Sequence, residues 1–220
     1  MIAPFSATST VSATTVSATA ADAGFSACGH YRWWLWRQWQ PLRPELVFIG
    51  LNPSRADAER DDPTLRRLMG FAQAWGYGSV RVLNLFGRIT SNPALLKRCD
   101  DPVGSENDRW LRDGLAASGD GKARVDPAAV WLGWGNQGRW RGRDQQLLAL
   151  LQAAPTPLPL LALGLTTQGQ PRHPLYAPAQ SRPLLLTLPL AQTAGPGASC
   201  GQRADEPWPA PRAATPFICT

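Results

Sequence analysis

Four short apolar runs, each followed by a polar turn and a segment of helical period, constrain the fold of this chain most strongly. The runs lie at residues 46–51, 79–85, 128–134 and 158–163. Parallel strands need long crossover connections, usually helices, and the segments between these runs can supply them. The sequence therefore predicts an α/β three-layer sandwich, in which a four-stranded, mostly parallel sheet carries helices on both faces.

The first connecting segment carries clear signals for the two ends of a helix. Asp62 stands before Pro63, apolar residues recur at helical spacing over residues 65–75, and Gly76 follows them. An aspartate can cap a helix, proline suits its first turn, and glycine commonly ends it. The segment therefore predicts an amphipathic helix that begins after Asp62 and ends at Gly76.

Two later segments also predict helices. Residues 92–96 indicate a short helix with Pro93 in its first turn. Ser105 and Asp108 have the spacing of a capping box, which would open a longer helix at this point.

An aromatic segment precedes the first core strand. Residues 31–39 contain four tryptophans in a partly alternating pattern. This pattern predicts an antiparallel edge strand or hairpin. Tryptophans can stack on nucleic-acid bases, but the alternation favours packing against the sheet.

The composition divides the chain into three parts. Residues 1–24 are rich in Ala, Ser and Thr, residues 189–220 are rich in Pro and Ala, and neither part has a periodic pattern that could cover a core. We expect both to be disordered, and residues 25–188 to form a single α/β domain.

Several classes of protein are disfavoured by the sequence. No run approaches the roughly 20 uncharged apolar residues of a membrane span, and Ser and Thr interrupt the beginning of the chain where a secretory signal would be unbroken. The four cysteines form no C-x-x-C pair, which disfavours a disulfide framework or a zinc cluster. We therefore expect a cytoplasmic protein without a membrane partner, and we expect no metal and no cofactor.

The net charge of +6 gives a weak indication of the partner. Excess positive charge favours anions such as nucleic acid. However, only Lys97 and Lys122 are lysines, and an arginine bias of this kind can also reflect the base composition of a genome. The sequence does not predict an oligomeric state.

Candidate site residues lie in the segments that leave the predicted strands at their carboxyl ends. These segments line the ligand crevice of open parallel sheets. Their polar and aromatic residues are candidates for substrate or catalytic contacts: Asn52, Ser54, Asp57, Asn84, Trp134, Thr166, Arg172, His173 and Tyr176.

Structural roles could explain several of these residues. Asn52 precedes a proline and could cap a turn. Asn84 lies within a strand, where an amide without partners costs about 1–3 kcal/mol, so it could instead bind a neighbouring loop. His173 lies between an arginine and a proline and could make a surface hydrogen bond or serve in recognition and acid–base chemistry.

Several motifs resemble a bacterial family known as domain of unknown function 1643. They comprise residues 50–57 (Gly-Leu-Asn-Pro-Ser-Arg-Ala-Asp), 61–64 (Asp-Asp-Pro-Thr), 84–86 (Asn-Leu-Phe), 101–104, 106–108, 134–135 and 169–176. The resemblance covers roughly three quarters of the chain and implies no activity.

The order of these motifs is also similar to that of the uracil-DNA glycosylase superfamily. The segment Gly-Leu-Asn-Pro-Ser at residues 50–54 resembles the loop that positions the hydrolytic water, with serine where that loop has glycine. By this resemblance Asn52 orients water, Asn84 reads the edge of the base, and His173 stabilises the departing base. Asp57 is an additional acid that the superfamily pattern lacks, and it is a candidate to help Asn52 orient the water. Leu175 and Tyr176 replace the Ser-Pro that follows the histidine in the superfamily.

This second resemblance implies a domain that binds a nucleobase in nucleic acid or a nucleotide and hydrolyses its N-glycosidic bond. Such an enzyme would act in DNA repair or base modification. The alternative is a non-catalytic nucleic-acid or nucleotide-binding module, and a different enzyme on the same fold also remains open.

Overall fold

The computed structural model describes residues 19–116 and 126–188 as a mixed α/β fold. The strands are β1 (Ala20–Phe25), β2 (Arg32–Gln38), β3 (Glu45–Gly50), β4 (Ser79–Asn84), β5 (Pro127–Leu132), β6 (Leu160–Ala162) and β7 (Leu184–Leu186). The helices are α1 (Pro63–Ala74), α2 (Pro93–Leu96), α3 (Asn107–Leu115) and α4 (Arg143–Gln152), with 3-10 turns at Asn136–Gly142 and Pro174–Tyr176.

The described strands form one sheet, in the order β1-β2-β4-β3-β5-β6-β7. The four central strands, β4, β3, β5 and β6, are parallel to one another and correspond to the four predicted apolar runs. Strands β1 and β2 on one side and β7 on the other pair antiparallel. The mixed α/β class is confirmed, but the sheet has seven strands rather than four, because antiparallel strands cover both edges of its parallel centre.

Alternating residues of β3 fill two separate cores. Leu46 and Phe48 belong to a cluster that includes α1, whereas Val47 and Ile49 belong to a cluster that includes α3 and α4. Successive side chains of a strand point to opposite faces, so helices cover both faces of the sheet. These three layers hold the carboxyl ends of the parallel strands at one edge.

Helix α1 begins and ends as its sequence predicts. Asp62 Oδ1 accepts a hydrogen bond from the N–H of Leu65 at 2.7 Å, and Pro63 occupies the first helical position. Trp75 is the C-cap, and Gly76 follows with φ of +89°. A left-handed backbone at this point is inexpensive only for glycine, which explains why the helix ends here.

The capping box predicted for α3 is wrong. The N-cap residue is Glu106 rather than Ser105, and no side chain caps the helix. Asp108 instead forms an ion pair with Arg143 at 2.5 Å. The side chain of Asn107, the first residue of the helix, turns back to the carbonyls at the end of β4.

The hairpin of β1 and β2 confirms the antiparallel element expected from the aromatic segment, but it begins earlier than the predicted domain. Residues 20–24, assigned to a disordered leader, lie in β1 and pair with β2. Backbone hydrogen bonds hold this strand against β2. Because such bonds form whatever the side chains are, the strand needs no apolar pattern in its sequence. The rest of that leader before residue 19, and the predicted disordered tail at 189–220, lie outside the described residues.

A β-bulge interrupts the hairpin. Phe25 pairs with Arg32 and Gly24 pairs with Trp34, so Trp33 is an extra residue in β2. The alternation of buried and half-buried residues along β2 breaks at the same place, since Arg32 and Trp33 are both buried. A bulge of this kind re-aims the side chains beside it.

In the two described stretches of the chain, no helix combines the length and apolar character that crossing a bilayer requires.

Candidate functional site

A pocket of about 440 Å³ opens at the carboxyl ends of β3, β4 and β5. The chain passes from β3 to β4 on one side and later to β5 on the other, so the strand order reverses at this crevice. Open α/β sheets bind their ligands at such points. The volume falls within the range of roughly 300–1,000 Å³ that is typical of small-molecule sites.

Six of the predicted site residues line this pocket. They come from β4 and from the segments that follow β3, β5 and β6: Asn52, Ser54, Asn84, Trp134, His173 and Tyr176. Among them are the three residues to which the uracil-DNA glycosylase resemblance assigned chemistry, Asn52, Asn84 and His173. The fold therefore brings together side chains that are far apart in the sequence.

Two further predicted residues lie beside the pocket rather than in it. Thr166 and Arg172 line a neighbouring cavity of about 380 Å³ that shares His173 with the main pocket. The Thr166 hydroxyl donates to Asn136 Oδ1 at 2.6 Å, and Arg172 Nε donates to a backbone carbonyl of its own loop at 2.9 Å. Thr166 and Arg172 can therefore contact only the part of a ligand that extends out of the main pocket.

Asn84 is a buried amide with an unused donor. It is the last residue of β4 and only 3% exposed, and its Nδ2 has no hydrogen-bond partner among the described residues. The expected alternative, a bond from Nδ2 to a neighbouring loop, is not formed. Gly50 on the adjacent strand lets the pocket reach this amide, because a Cβ there would lie 3.1 Å from Asn84 Oδ1.

Asn52 combines a structural role with one free acceptor. Its Nδ2 donates to the carbonyls of Pro53 at 3.0 Å and Thr90 at 2.7 Å, which ties the loop after β3 to the loop after β4. The amide therefore joins two loops, rather than accepting a backbone N–H from its own turn as the Asn-Pro pattern usually does. Oδ1 is left to accept a hydrogen bond from a water or ligand in the pocket.

His173 is held as a neutral donor. Its Nδ1 accepts the backbone N–H of Leu175 at 3.4 Å, so the proton of the neutral ring lies on Nε2. Burial lowers the pKa of His173 below its ordinary 6.5, and the carboxylate of Asp62 opposes this shift. At neutral pH the imidazole can therefore donate Nε2–H without carrying charge.

Trp134 forms a fixed aromatic wall. Its Nε1 donates to Gln170 Oε1 at 2.7 Å, and Gln170 Nε2 donates to Asp144 Oδ2 at 3.1 Å. Gly138 lies against the ring, where any side chain would collide with it. Because its ring N–H is already used, the Trp134 side chain offers a ligand apolar surface but no donor.

The structure separates Asp57 from the other predicted catalytic residues. Asp57 does not line the pocket, and its Oδ1 accepts the backbone N–H groups of Glu59 at 2.9 Å and Arg60 at 2.7 Å. Both hydrogen bonds lower the pKa of the Asp57 carboxyl, and the bond from Glu59 has the larger effect. Asp57 therefore shapes a turn and does not line the pocket.

The tryptophans of β2 pack rather than line the site. Trp33 stacks on Tyr31 with ring centroids 5.3 Å apart, and Trp36 Nε1 donates to Glu45 Oε2 at 2.7 Å. The ring centroids of Trp34 and of Trp110 in α3 lie 6.1 Å apart. None of the three lines the 440 Å³ pocket.

A family model described as "Protein of unknown function (DUF1643)" matches residues 32–175. The chain belongs to this family. The match includes all the pocket residues from Arg32 to Leu175, and Tyr176 follows directly after it. No curated protein and no solved structure matches the chain.

Two charged residues of this DUF1643 member line the pocket without having been predicted there. The sequence predicts Asp62 only as a helix cap, yet its Oδ2 also accepts a hydrogen bond from the Ser54 hydroxyl at the pocket. Arg32 lies at the start of β2, and its Nη1 donates to the carbonyl of Ala56 at 2.6 Å. Strict alternation along β2 would place Arg32 on the opposite face of the sheet from the pocket. The bulge at Trp33 brings it to the pocket side, and the sequence carries no signal that predicts this bulge.

The described residues contain no group of three or more His, Cys, Asp or Glu side chains that could hold a metal ion. The polar groups of the DUF1643 pocket are instead amides, hydroxyls, an imidazole, a guanidinium and one carboxylate. Such a set can bind a polar heterocycle and orient a water molecule.

Proposed function

We propose that this pocket binds a nucleobase, in nucleic acid or in a nucleotide, and that the protein hydrolyses the N-glycosidic bond of that base. The observation that carries the proposal is the buried Nδ2 of Asn84, which has no partner among the described residues and belongs to a side chain that lines the same pocket as His173 and Asn52. A buried donor without a partner costs about 1–3 kcal/mol. A ligand acceptor would recover that cost.

The walls of the pocket suit a flat ring. Phe48 and Trp134 line it with aromatic surface, while Asn84 and His173 supply donors for the edge of a base. A base within a duplex must leave the stack to enter such a closed site. The similarity of the motif order to the uracil-DNA glycosylase superfamily supports the same assignment.

The proposed reaction uses the residues present. A water held by Asn52 Oδ1 attacks C1′ of the sugar, and the C1′–N bond breaks with its electron pair passing to the base. The proton of the water passes to a carboxylate, for which we assign Asp62 in place of Asp57. Nε2–H of His173 donates to the departing base, where a preorganised donor stabilises developing charge.

A specific observation favours the alternative, binding without hydrolysis. Both N–H groups of the Asn52 amide are committed to backbone carbonyls, as in a purely structural turn. In that case Asn84 and His173 would recognise the base, and Asn52 would only shape the loop.

The proposal is tested with oligonucleotides that contain uracil, hypoxanthine or an oxidised pyrimidine, followed by alkaline cleavage at abasic sites. We expect cleavage of at least one substrate, with loss of product in N52A and H173A. Binding of these oligonucleotides without any product would establish the binding module instead. If the experiment shows neither product nor binding, the proposed function is overturned.

A nucleic-acid partner also predicts a salt dependence. Phosphate contacts release counterions, so affinity for an oligonucleotide should fall steeply as salt rises. An affinity that does not change with salt would exclude a nucleic-acid partner and indicate a free nucleotide or base as the ligand.

A further inference from the structure

Arg32 is the exception among the buried arginines of the described residues. Three of them form ion pairs with carboxylates: Arg37 with Asp61 at 2.9 Å, Arg81 with Glu45 at 2.8 Å and Arg143 with Asp108 at 2.5 Å. Arg32 is 3% exposed and forms no ion pair with any described residue.

The hydrogen bonds of Arg32 are also incomplete. Nη1 donates to the carbonyl of Ala56, but Nε is buried and has no partner in the part of the chain that the structure describes. A guanidinium in this setting is expensive, because a buried charge normally needs a partner and a full set of hydrogen bonds. Burial accordingly lowers the pKa of Arg32 to about 10.

Asp62 offsets this charge only in part. Of the nearby acids it does most to raise the pKa of Arg32. However, its Oδ1 accepts the N–H of Leu65, and its Oδ2 accepts the Ser54 hydroxyl. Neither oxygen forms an ion pair with the guanidinium.

The bulge at Trp33 explains why the buried Arg32 lines the pocket. The extra residue changes the face on which Arg32 lies, so that its side chain lines the pocket together with Leu35 of the same strand. Asn84 ends the neighbouring strand β4 and carries the second unpartnered donor of the pocket. Two side chains that line one cavity, Arg32 and Asn84, therefore each carry a buried donor without a partner among the described residues. The donor of Arg32 is charged.

We propose that Arg32 binds a negatively charged oxygen of the ligand. The inference rests on the proposed function and specifies the ligand chemistry. The charge could come from a phosphate of a nucleotide or from the base itself, which carries negative charge as it departs. An arginine forms strong charge-assisted bonds with such oxygens, whereas a neutral carbonyl would leave the buried charge uncompensated.

The test is calorimetric titration of the wild type and Arg32→Gln at about pH 7. The probes form neutral and anionic pairs: uracil with the acidic pyrimidine 5-nitrouracil, and uridine with uridine 5′-monophosphate. We expect the wild type to prefer one anionic probe over its neutral counterpart by about tenfold or more, a typical contribution of a charge-assisted bond. R32Q should lose that preference. The pair that shows it identifies the base or the phosphate as the source of the charge.

Two variants control for structural effects. Arg37→Gln changes a buried arginine of the same strand that pairs with Asp61 outside the pocket, and it should keep the anion preference. Arg32→Lys keeps a positive charge without the planar fork and should reduce the preference only in part. If R32Q does not fold, the preference of the wild type and its reduction in R32K decide the test.

The outcomes separate this inference from the proposed function. Equal binding of neutral and anionic probes by the wild type would overturn the role of Arg32 and leave base binding in place. Inorganic phosphate is titrated as a fifth probe. If it binds and R32Q abolishes that binding, with no binding of any base, the role of Arg32 is kept and the proposed function is overturned. Absence of binding for every probe would overturn both.

Discussion

Asn107 Nδ2 donates to the main-chain carbonyl of Asn84 at 3.1 Å, while the side-chain Nδ2 of Asn84 has no partner. The two asparagines are both buried, yet only one of them is fully used by the fold. Asn107 also reaches the carbonyl of Leu85 at 3.2 Å and so fixes the end of β4. The backbone of Asn84 is held in place, and its side chain lines the pocket.

Asn84→Ala should weaken ligand binding without weakening the fold. Removal of an unpaired donor costs no hydrogen bond within the protein, so the free energy of unfolding should stay within about 1 kcal/mol of the wild type. Affinity for a bound nucleobase should fall about tenfold. Urea unfolding and calorimetric titration measure the two quantities, and a large loss of stability with unchanged affinity would contradict this assignment.

Asn107→Ala is the matched control and should affect stability. Two buried carbonyls lose their side-chain donor, which should cost about 1–3 kcal/mol. Urea unfolding gives this value directly. An unfolding free energy equal to that of the wild type would show that Asn107 does not hold the end of β4.

His173 should make stability depend on pH in a defined direction. Its pKa is lowered in the folded protein, so as pH falls below about 6.5 the unfolded chain takes up the proton first. The wild type should therefore lose stability between 6.5 and the folded-state pKa, and H173Q should lack that component. The difference between the two unfolding curves across pH measures it, and parallel curves would contradict a buried neutral imidazole.

Asp57→Ala should leave function intact, whereas Asp62→Ala should not. Asp57 serves a turn outside the pocket, so affinity and any hydrolysis should change by no more than about twofold. Asp62 caps α1 and accepts the Ser54 hydroxyl, so its loss should cost about 1 kcal/mol of stability and also weaken activity. Loss of activity in D57A with normal activity in D62A would reverse the two roles.

The sequence predicts the elements whose signals are local. The apolar runs of β3, β4 and β5 and the cap and terminator of α1 at Asp62 and Gly76 are all found in the structure. Because parallel strands place their carboxyl ends together, the sequence also indicated where the polar residues would meet. Most candidate site residues, including Asn84 and His173, line the resulting pocket.

The missed features depend on contacts between distant segments. Strand β1 is held by backbone pairing with β2, and residues 20–24 carry no apolar pattern that would reveal it. The Ser105 capping box does not form, since α3 starts two residues later and Asn107 reaches back to β4. Spacing alone could not show that Asp57 would turn towards Glu59 and Arg60.

The most direct measurement is the side-chain amide signal of Asn84 in an NMR spectrum of protein labelled with ¹⁵N-asparagine, recorded with increasing uracil or 5-nitrouracil. If the pocket binds a base through Asn84, its Nδ2 protons should shift and exchange more slowly with solvent on binding, while those of Asn107 change little. Saturating binding that leaves the Asn84 amide signals unmoved would contradict the central role given to this residue.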